Sequence, residues 1–134
     1  MQAIRVGLLF ALYCSLFCAA VPAPSRGEGV AVLRGLDKIT ARISTFDAPE
    51  GKHVRFGTLR ILVRVCNKRP PEETPETSVF LEIVDLRPGG DPVRVFTGWM
   101  FSSSPALSAL EHPTYDVWVM DCRTVLPSSS VGSG

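Results

Sequence analysis

The sequence predicts a mainly β domain, a small antiparallel sandwich or partly open barrel with one short helix and one disulfide. About five short runs of β-branched, aromatic and alternating apolar residues lie along the chain. Turns rich in proline, glycine and aspartate separate these runs, which is typical of antiparallel β domains. Two cysteines remain outside the predicted export signal. Residues 34–126 are therefore expected to form a single domain with one core.

The first 20 residues have the features of a secretory signal peptide. Arg5 supplies a positive charge, and residues 6–20 are uncharged and mostly apolar, a stretch too short for a membrane span. Cys18 and Ala20 are the small residues that signal cleavage requires, so we expect cleavage after Ala20 and an exported mature chain. The alternatives are lipidation of Cys18, which the bulky Phe17 disfavours, and an uncleaved anchor.

The first half of the mature chain predicts a leader and two strands. Residues 21–33 begin with proline, glycine and serine and are expected to form a flexible leader. Residues 36–46 alternate apolar and polar side chains, which predicts the first strand. Residues 54–66 predict the second, in which Gly57 marks a bulge or bend. Cys66 has the same parity as the arginines of this strand, so either the strand ends there or that face is partly covered.

The second half predicts three more strands and a helix. The strands are expected at residues 78–86, at residues 93–101 and from Tyr115 onward. A helix of about two turns is expected at residues 104–111, because Ser104 is a good N-cap and Pro105 suits the first helical position. Residues 127–134 are small and polar, which predicts a disordered tail.

Cys66 and Cys122 are the two cysteines of the mature chain. In an exported protein an even pair usually forms a disulfide. A redox or metal pair is the alternative, but the chain has no Cys-x-x-Cys and no histidine at ligand spacing near either cysteine. We therefore predict a structural bridge, no metal site and no cofactor.

The charge of the chain does not indicate a nucleic-acid or lipid partner. The chain has 14 basic and 13 acidic residues, and the loss of Arg5 with the signal makes the two counts equal. Binding to a polyanion or an anionic membrane usually requires a basic excess. We therefore predict no nucleic-acid binding and no stable membrane insertion after signal cleavage.

One conceivable catalytic site is that of a small hydrolase. Residues 102–104 are serines, His112 follows, and Asp116 and Asp121 could orient it. The chain has no Gly-x-Ser-x-Gly elbow, and capping of the predicted helix explains the serines. The hydrolase is therefore the alternative to a non-enzymatic function.

A glycosidase is the other conceivable enzyme. Its paired carboxylates would come from the glutamates of the chain, Glu72, Glu73, Glu76, Glu82 and Glu111. The first three lie on a solvated loop, where a carboxyl pKa is difficult to raise. Trp99 and Trp118 could stack on a sugar, but we expect both to pack in the core.

Several stretches of the chain resemble one protein family. They are Arg34-Gly35-Leu36-Asp37-Lys38, Phe56-Gly57-Thr58-Leu59, residues 66–76, Phe80-Leu81-Glu82-Ile83 and residues 98–122. These blocks, within residues 34–123, are similar to domain of unknown function family 2155. The resemblance implies a small exported protein of a Gram-negative bacterium, and it supports a periplasmic location and the pairing of Cys66 with Cys122. The resemblance suggests neither a particular activity nor a catalytic residue.

The most distinctive polar segment is residues 68–76, called the arm below. Prolines prevent it from joining a sheet, which predicts an exposed, stiff, extended loop. Its candidate binding residues are Lys68, Arg69, Pro70, Pro71, Glu72 and Glu73. A rigid solvent loop beside the disulfide is the alternative. Because prolines lower the ordering cost of binding and charges orient a partner, we predict a non-enzymatic periplasmic binding or envelope-assembly module that recognises a protein or cell-wall partner.

Overall fold

The protein folds as two antiparallel β-sheets that pack face to face. A computed structural model describes Ala20 and residues 28–125. Within these residues the strands are β1 (Glu28–Asp37), β2 (Arg42–Pro49), β3 (His53–Phe56), β4 (Leu59–Lys68), β5 (Thr77–Asp85), β6 (Val93–Phe101) and β7 (Tyr115–Val125). One sheet has the order β2-β1-β7 and the other β3-β4-β5-β6. The predicted antiparallel sandwich is confirmed, with two open sheets.

The predicted signal peptide, residues 1–20, lies outside the described residues except for Ala20. Residues 21–27 of the predicted leader and the predicted tail, residues 127–134, lie outside them as well. No helix in the described part of the chain is long and apolar enough to cross a membrane.

The strand predicted at residues 36–46 is wrong, because the chain reverses in the middle of it. A turn joins β1 to β2, and there Asp37 Oδ1 accepts hydrogen bonds from the backbone N–H groups of Ile39 (2.9 Å) and Thr40 (3.2 Å). Ala41 follows with a φ of 56°. An aspartate that accepts bonds from the next residues of its own chain stabilises such a turn locally. The alternation of side chains continues through the turn, which hides the reversal.

The predicted leader, residues 21–33, is also too long at its C-terminal end. β1 begins at Glu28 and pairs with β2 on one side and β7 on the other. It is therefore the central strand of its sheet, and Ala31 and Leu33 on its inner face are completely buried. The prolines and glycines at the start of this segment suggest a flexible leader, but the apolar residues 30–33 that follow belong to a strand paired on both sides.

The strand predicted at residues 54–66 is two strands, β3 and β4. Gly57 turns the chain between them with a φ of 57°, a left-handed conformation that glycine adopts without steric cost. The bulge lies further on, where the register between β4 and β5 shifts between Val63 and Val65. The extra residue turns Val65 outward and Cys66 inward. This explains how Cys66 is buried although it has the same parity as the exposed Arg64.

The last three predicted strands are confirmed, but the helix between two of them is not. Residues 78–86, residues 93–101 and the residues from Tyr115 correspond to β5, β6 and β7. The helix predicted at residues 104–111 is wrong, since this segment contains turns such as the one closed by Leu107 N–H and the carbonyl of Ser104 (3.1 Å). Leu110 is buried, but Leu107 is 77% exposed. One apolar contact is too little to stabilise so short a helix.

The predicted disulfide between Cys66 and Cys122 is confirmed, and it joins the two sheets. Cys66 lies on β4 and Cys122 on β7, with their Cα atoms 5.9 Å apart. Between the sheets lies one core, whose largest fully buried side chains include Leu33, Leu59, Ile61, Leu81, Ile83 and Val119. The bridge therefore links the two sheets at one end of the core. The arm begins at the same end, two residues after Cys66.

Candidate functional site

The arm starts at the disulfide-linked corner of the sandwich. Lys68 Nζ lies 2.8 Å from Oδ1 of Asp121, the residue before Cys122. The ion pair and the disulfide therefore join β4 to β7 side by side. The hydrogen bond from Lys68 lowers the pKa of Asp121 and outweighs the effect of partial burial. The first residue of the arm is thus fixed to the opposite sheet.

The last residue of the arm, Glu76, is anchored by a dense set of hydrogen bonds. Its Oε1 accepts from the Thr77 N–H (3.0 Å), the Ser102 hydroxyl (3.1 Å) and the Ser103 N–H (3.2 Å). Its Oε2 accepts from the Ser103 hydroxyl. These bonds, that of the Ser103 side chain first, lower the pKa of Glu76 despite some desolvation. The serines expected to cap a helix instead hold the end of the arm.

Backbone hydrogen bonds close the arm into a compact loop between β4 and β5. The Arg69 N–H donates to the carbonyl of Glu76 (3.0 Å), and the Glu73 N–H donates to the carbonyl of Pro70 (3.0 Å). The predicted extended conformation is therefore wrong, because the two ends of the loop must meet where β4 and β5 pair. The predicted exposure is confirmed, since residues 69–75 are all exposed.

A groove of about 660 Å³ lies between the arm and β7. Met120, 37% exposed, lines it together with Pro70, Pro71 and Pro75. Charged groups of both signs and Ser102 also line it. A site of this volume can accommodate a small molecule or a few side chains of a peptide. The groove therefore combines an apolar floor with charges that could orient what it binds.

The structure brings most of the predicted arm residues to this groove. Those that line it are Lys68, Arg69, Pro70, Pro71 and Glu73, whereas Glu72 is exposed on the arm and does not. Sequence reasoning missed Glu76 as the anchor and Met120 and Asp121 as the opposite wall. The predicted disulfide could have indicated Met120 and Asp121, because the neighbours of Cys122 must lie close to the neighbours of Cys66.

A second polar cluster lies at the other end of β5, around Asp85. The Asp85 side chain accepts hydrogen bonds from the Thr58 hydroxyl (2.6 Å) and from Nε2 of His112 (2.9 Å). The other ring nitrogen of His112, Nδ1, accepts from the backbone N–H groups of Thr114 (3.0 Å) and Tyr115 (3.1 Å). Because a backbone N–H group can only donate, Nδ1 must be the acceptor and carries no proton. The ring proton is therefore on Nε2, which donates it to Asp85.

The environment of Asp85 favours its charged form. Burial works to raise the pKa of Asp85, but the hydrogen bonds from Thr58 and His112 outweigh it, and the resulting pKa lies below the usual value. Arg87 adds to this effect, with its Nε 3.5 Å from Asp85 Oδ2. A depression of about 440 Å³ that also borders Glu111 opens beside the pair.

The residues of the predicted hydrolase lie in separate places. Ser102 and Ser103 bond Glu76 at one end of β5, whereas His112 bonds Asp85 at the other. Both ring nitrogens of His112 are engaged, so neither is free to take a proton from a serine. The two predicted orienting carboxylates, Asp116 and Asp121, pair instead with Lys38 and Lys68. The hydrogen bonds among the described residues therefore assemble no Ser-His pair.

The predicted carboxylate pair and sugar-stacking residues are also dispersed. Glu82 forms an ion pair with Arg64, and Glu76 accepts a hydrogen bond from the Ser102 hydroxyl. Trp99 is 39% exposed on the outer face of the four-stranded sheet, so its predicted packing in the core is wrong. Trp118 lies half-buried on the other sheet, opposite Arg34. Among the described residues no group of three or more His, Cys, Asp and Glu side chains is placed to hold a metal ion.

These features define a class of protein, a two-sheet β-sandwich domain locked by one disulfide and carrying an anchored loop beside a groove. The chain belongs to the family described as uncharacterised protein conserved in bacteria (DUF2155), whose model matches residues 31–122. This confirms the resemblance found in the sequence blocks.

A curated relative comes from a rickettsia. The chain is similar to uncharacterized protein RP359 of Rickettsia prowazekii (strain Madrid E), with 33% identity over 87 residues. The matched region covers 65% of this chain and 56% of the relative, so the chain spans little more than half of that relative's length. No solved structure matches the chain.

Proposed function

We propose that the protein is an exported, non-enzymatic binding module of the bacterial envelope, which recognises a protein partner through the arm and its groove. The observation that carries this proposal is the double anchoring of the arm. Lys68 ties one end to Asp121, and Glu76 ties the other to Ser102 and Ser103. Together these contacts restrain both ends of an exposed loop.

A preformed loop binds at a lower entropic cost than a mobile one. Association must offset the ordering of each side chain and loop that it immobilises. The prolines of the arm restrict its backbone, and the two anchors fix both of its ends. Exposed charges on such a loop would steer and orient a partner more than they would add affinity. The arm therefore has the properties of a recognition surface.

The lining of the groove favours a protein segment over a cell-wall glycan. Proline and methionine side chains suit the apolar side chains of a peptide, and methionine adapts to irregular shapes. None of the residues that line the groove is aromatic, so it offers no ring on which a sugar could stack. The experiment below must therefore distinguish a protein partner from a cell-wall glycan.

Export is part of the proposal and has its own measurement. The charge of Arg5 and the apolar residues 6–20 support a cleaved signal. N-terminal sequencing of the protein from the periplasmic fraction should find Val21 as the first residue. A chain that begins with Met1, or one that carries lipid on Cys18, would remove the periplasmic part of the proposal.

Site-specific photocross-linking in the native bacterium tests the binding function. A photoreactive residue at Pro71, on the arm, should form a discrete adduct, whereas one at Asp91, in the exposed turn between β5 and β6, should not. Loss of the adduct on protease treatment identifies a protein partner. Loss on muramidase treatment instead identifies cell-wall glycan and overturns the choice of a protein. Equal adducts from both positions would contradict a role for the arm.

A matched pair of charge-swap variants completes the test. Arg69→Glu with Glu72→Lys reverses charges on the arm without changing the net charge and should abolish the adduct. Arg42→Glu with Asp91→Lys makes the same swap at exposed sites away from the arm and should leave it. Lys68 is kept because it holds Asp121. Both variants should melt like the wild type, since exposed charge pairs contribute less than about 1 kcal/mol.

A further inference from the structure

Three arginines lie in one cross-strand row on the outer face of the four-stranded sheet. Arg55 on β3 lies opposite Arg60 on β4, Arg60 lies opposite Val84 on β5, and Val84 lies opposite Arg94 on β6. Ile83, the neighbour of Val84, is completely buried, which places the row on the solvent side. Like charges in directly opposite positions destabilise a sheet. The directly opposite pair Arg55 and Arg60 therefore has a stability cost.

The arginines of this row form no ion pairs within the described part of the chain, and Glu82 on the same face is paired with Arg64 at 3.1 Å. Arg60 and Arg94 line a depression of about 360 Å³ together with His53 and the ion-paired Arg64 and Glu82. Because Glu82 is paired with Arg64, the guanidinium groups of Arg60 and Arg94 can bind a further carboxylate, which arginine holds with two parallel hydrogen bonds.

An exposed apolar area lies further along the same face. Phe80 on β5 and Trp99 on β6 are opposite each other, with their rings edge to face and the centroids 5.5 Å apart. Val65 lies opposite Phe80 on its other side. Trp99 and Val65 are 39% and 38% exposed. Because Phe80 and Val84 are four residues apart on β5, the apolar area is about 13 Å from the arginine row.

We propose that this face binds an extended acidic segment of a partner protein. Its carboxylates would contact the arginine row, and one aromatic or branched apolar side chain would pack on Trp99 and Phe80. Side chains four positions apart in an extended chain point to the same side and are about 13 Å apart, which matches the spacing on this face. Arginine and tryptophan are also the residues that dominate protein interfaces energetically. The proposal concerns a surface separate from the arm and does not depend on it.

Glu82 argues against a uniform polyanion as the occupant. It lies between the arginine row and the apolar area on β5. A chain with an anionic group at every step would place one of these groups near the Glu82 carboxylate, where like charges repel. A segment with its acidic residues at one end and an apolar residue at the other avoids this contact.

Nuclear magnetic resonance titration of the isotope-labelled mature protein tests the proposal. The probe is an extended peptide, added at low salt, with two glutamates two positions apart, so that both point to the same side, and a phenylalanine four positions after the second. The indole N–H signal of Trp99 should shift, whereas that of Trp118 on the other sheet should not. Peptides with glutamine in place of glutamate, or alanine in place of phenylalanine, should bind more weakly. No shift of the Trp99 signal at millimolar peptide would overturn the proposal.

Paired variants locate the binding to the arginine row. Arg60→Gln with Arg94→Gln should weaken probe binding roughly tenfold or more, because two charge-assisted contacts are lost. Arg42→Gln on the other sheet and the arm swap Arg69→Glu with Glu72→Lys should not change it. Unchanged affinity in the double variant would contradict the assignment, as would a loss in the arm variant. Tighter binding of hexagalacturonate than of the peptide would assign the face to an anionic glycan and overturn the proposal.

Discussion

Asp85 and His112 are joined by a hydrogen bond of 2.9 Å between Oδ2 and Nε2, and both side chains are almost completely buried. The bond connects the end of β5 in one sheet to the segment that leads into β7 in the other. Because the remaining polar atoms of both side chains are also satisfied by protein groups, the pair holds the two sheets together at the end opposite the disulfide. This arrangement makes His112 a structural residue, with consequences that can be measured.

Replacing His112 should destabilise the fold. His112→Ala leaves the buried Asp85 carboxylate without one donor, which costs about 1–3 kcal/mol, and the partly buried N–H groups of Thr114 and Tyr115 without their acceptor, which costs less. Urea unfolding should show this loss. His53→Ala, at an exposed position, is the control and should stay within about 0.5 kcal/mol of the wild type. Equal midpoints for the two variants would contradict the structural role.

The same pair should make stability depend on acidity. The folded protein lowers the pKa of Asp85 below its ordinary value of 3.8, so the unfolded chain binds the proton more readily. The resulting stabilisation is complete above pH 3.8 and is lost as the pH falls through the lowered pKa. The difference in unfolding free energy between the wild type and Asp85→Asn should therefore shrink in this acidic range. A difference that stays constant from neutral pH downward would disprove the linkage.

A side chain at Gly57 should destabilise the protein, because it would collide with the Tyr115 ring. A Cβ atom at Gly57 would collide with the ring and hydroxyl of Tyr115, and its φ of 57° already disfavours other residues. Gly89→Ala is a matched control, because Gly89 has a φ of 74° and open space around it. Both variants lose about 1–2 kcal/mol from the left-handed backbone, and Gly57→Ala should lose about 1–3 kcal/mol more from the collision. Thermal melts measure the difference, and equal losses would show that Tyr115 moves aside.

Alternation in the sequence locates strands well where a strand lies between clear turns. β5 to β7 are examples, and the count of two cysteines outside the predicted signal was enough to predict the bridge. Alternation fails at Asp37, because a tight turn can occur without interrupting it. Local propensity fails at residues 104–111, because a helix this short depends on packing that the sequence does not reveal. The anchor joins Glu76, just before β5, to Ser103, just after β6, and a single sequence contains no signal for a contact between such distant positions.

Removing the disulfide should destabilise the protein without abolishing its topology. The bridge spans 56 positions between Cys66 and Cys122, a loop for which chain entropy predicts about 4 kcal/mol and mutagenesis typically about 2–5 kcal/mol. Cys122→Ser with Cys66→Ala should lower the free energy of unfolding by this amount, and thiol titration of the non-reduced wild type should find no free thiol in the mature chain. Two reactive thiols in the native protein would rule out the bridge.

The anchoring of the arm by Glu76 should be visible in hydrogen exchange. Glu76→Gln removes the negative charge that the N–H groups of Thr77 and Ser103 bond, so these amides should exchange several-fold faster than in the wild type. Glu72→Gln, on the same arm and outside these contacts, should leave the rates unchanged. The wild type should approach the behaviour of Glu76→Gln in acid, because the pKa of Glu76 is lowered from 4.5 and the anchor is lost only as the pH falls through the lowered value. Wild-type exchange rates in Glu76→Gln would mean that the Glu76 carboxylate does not anchor the arm.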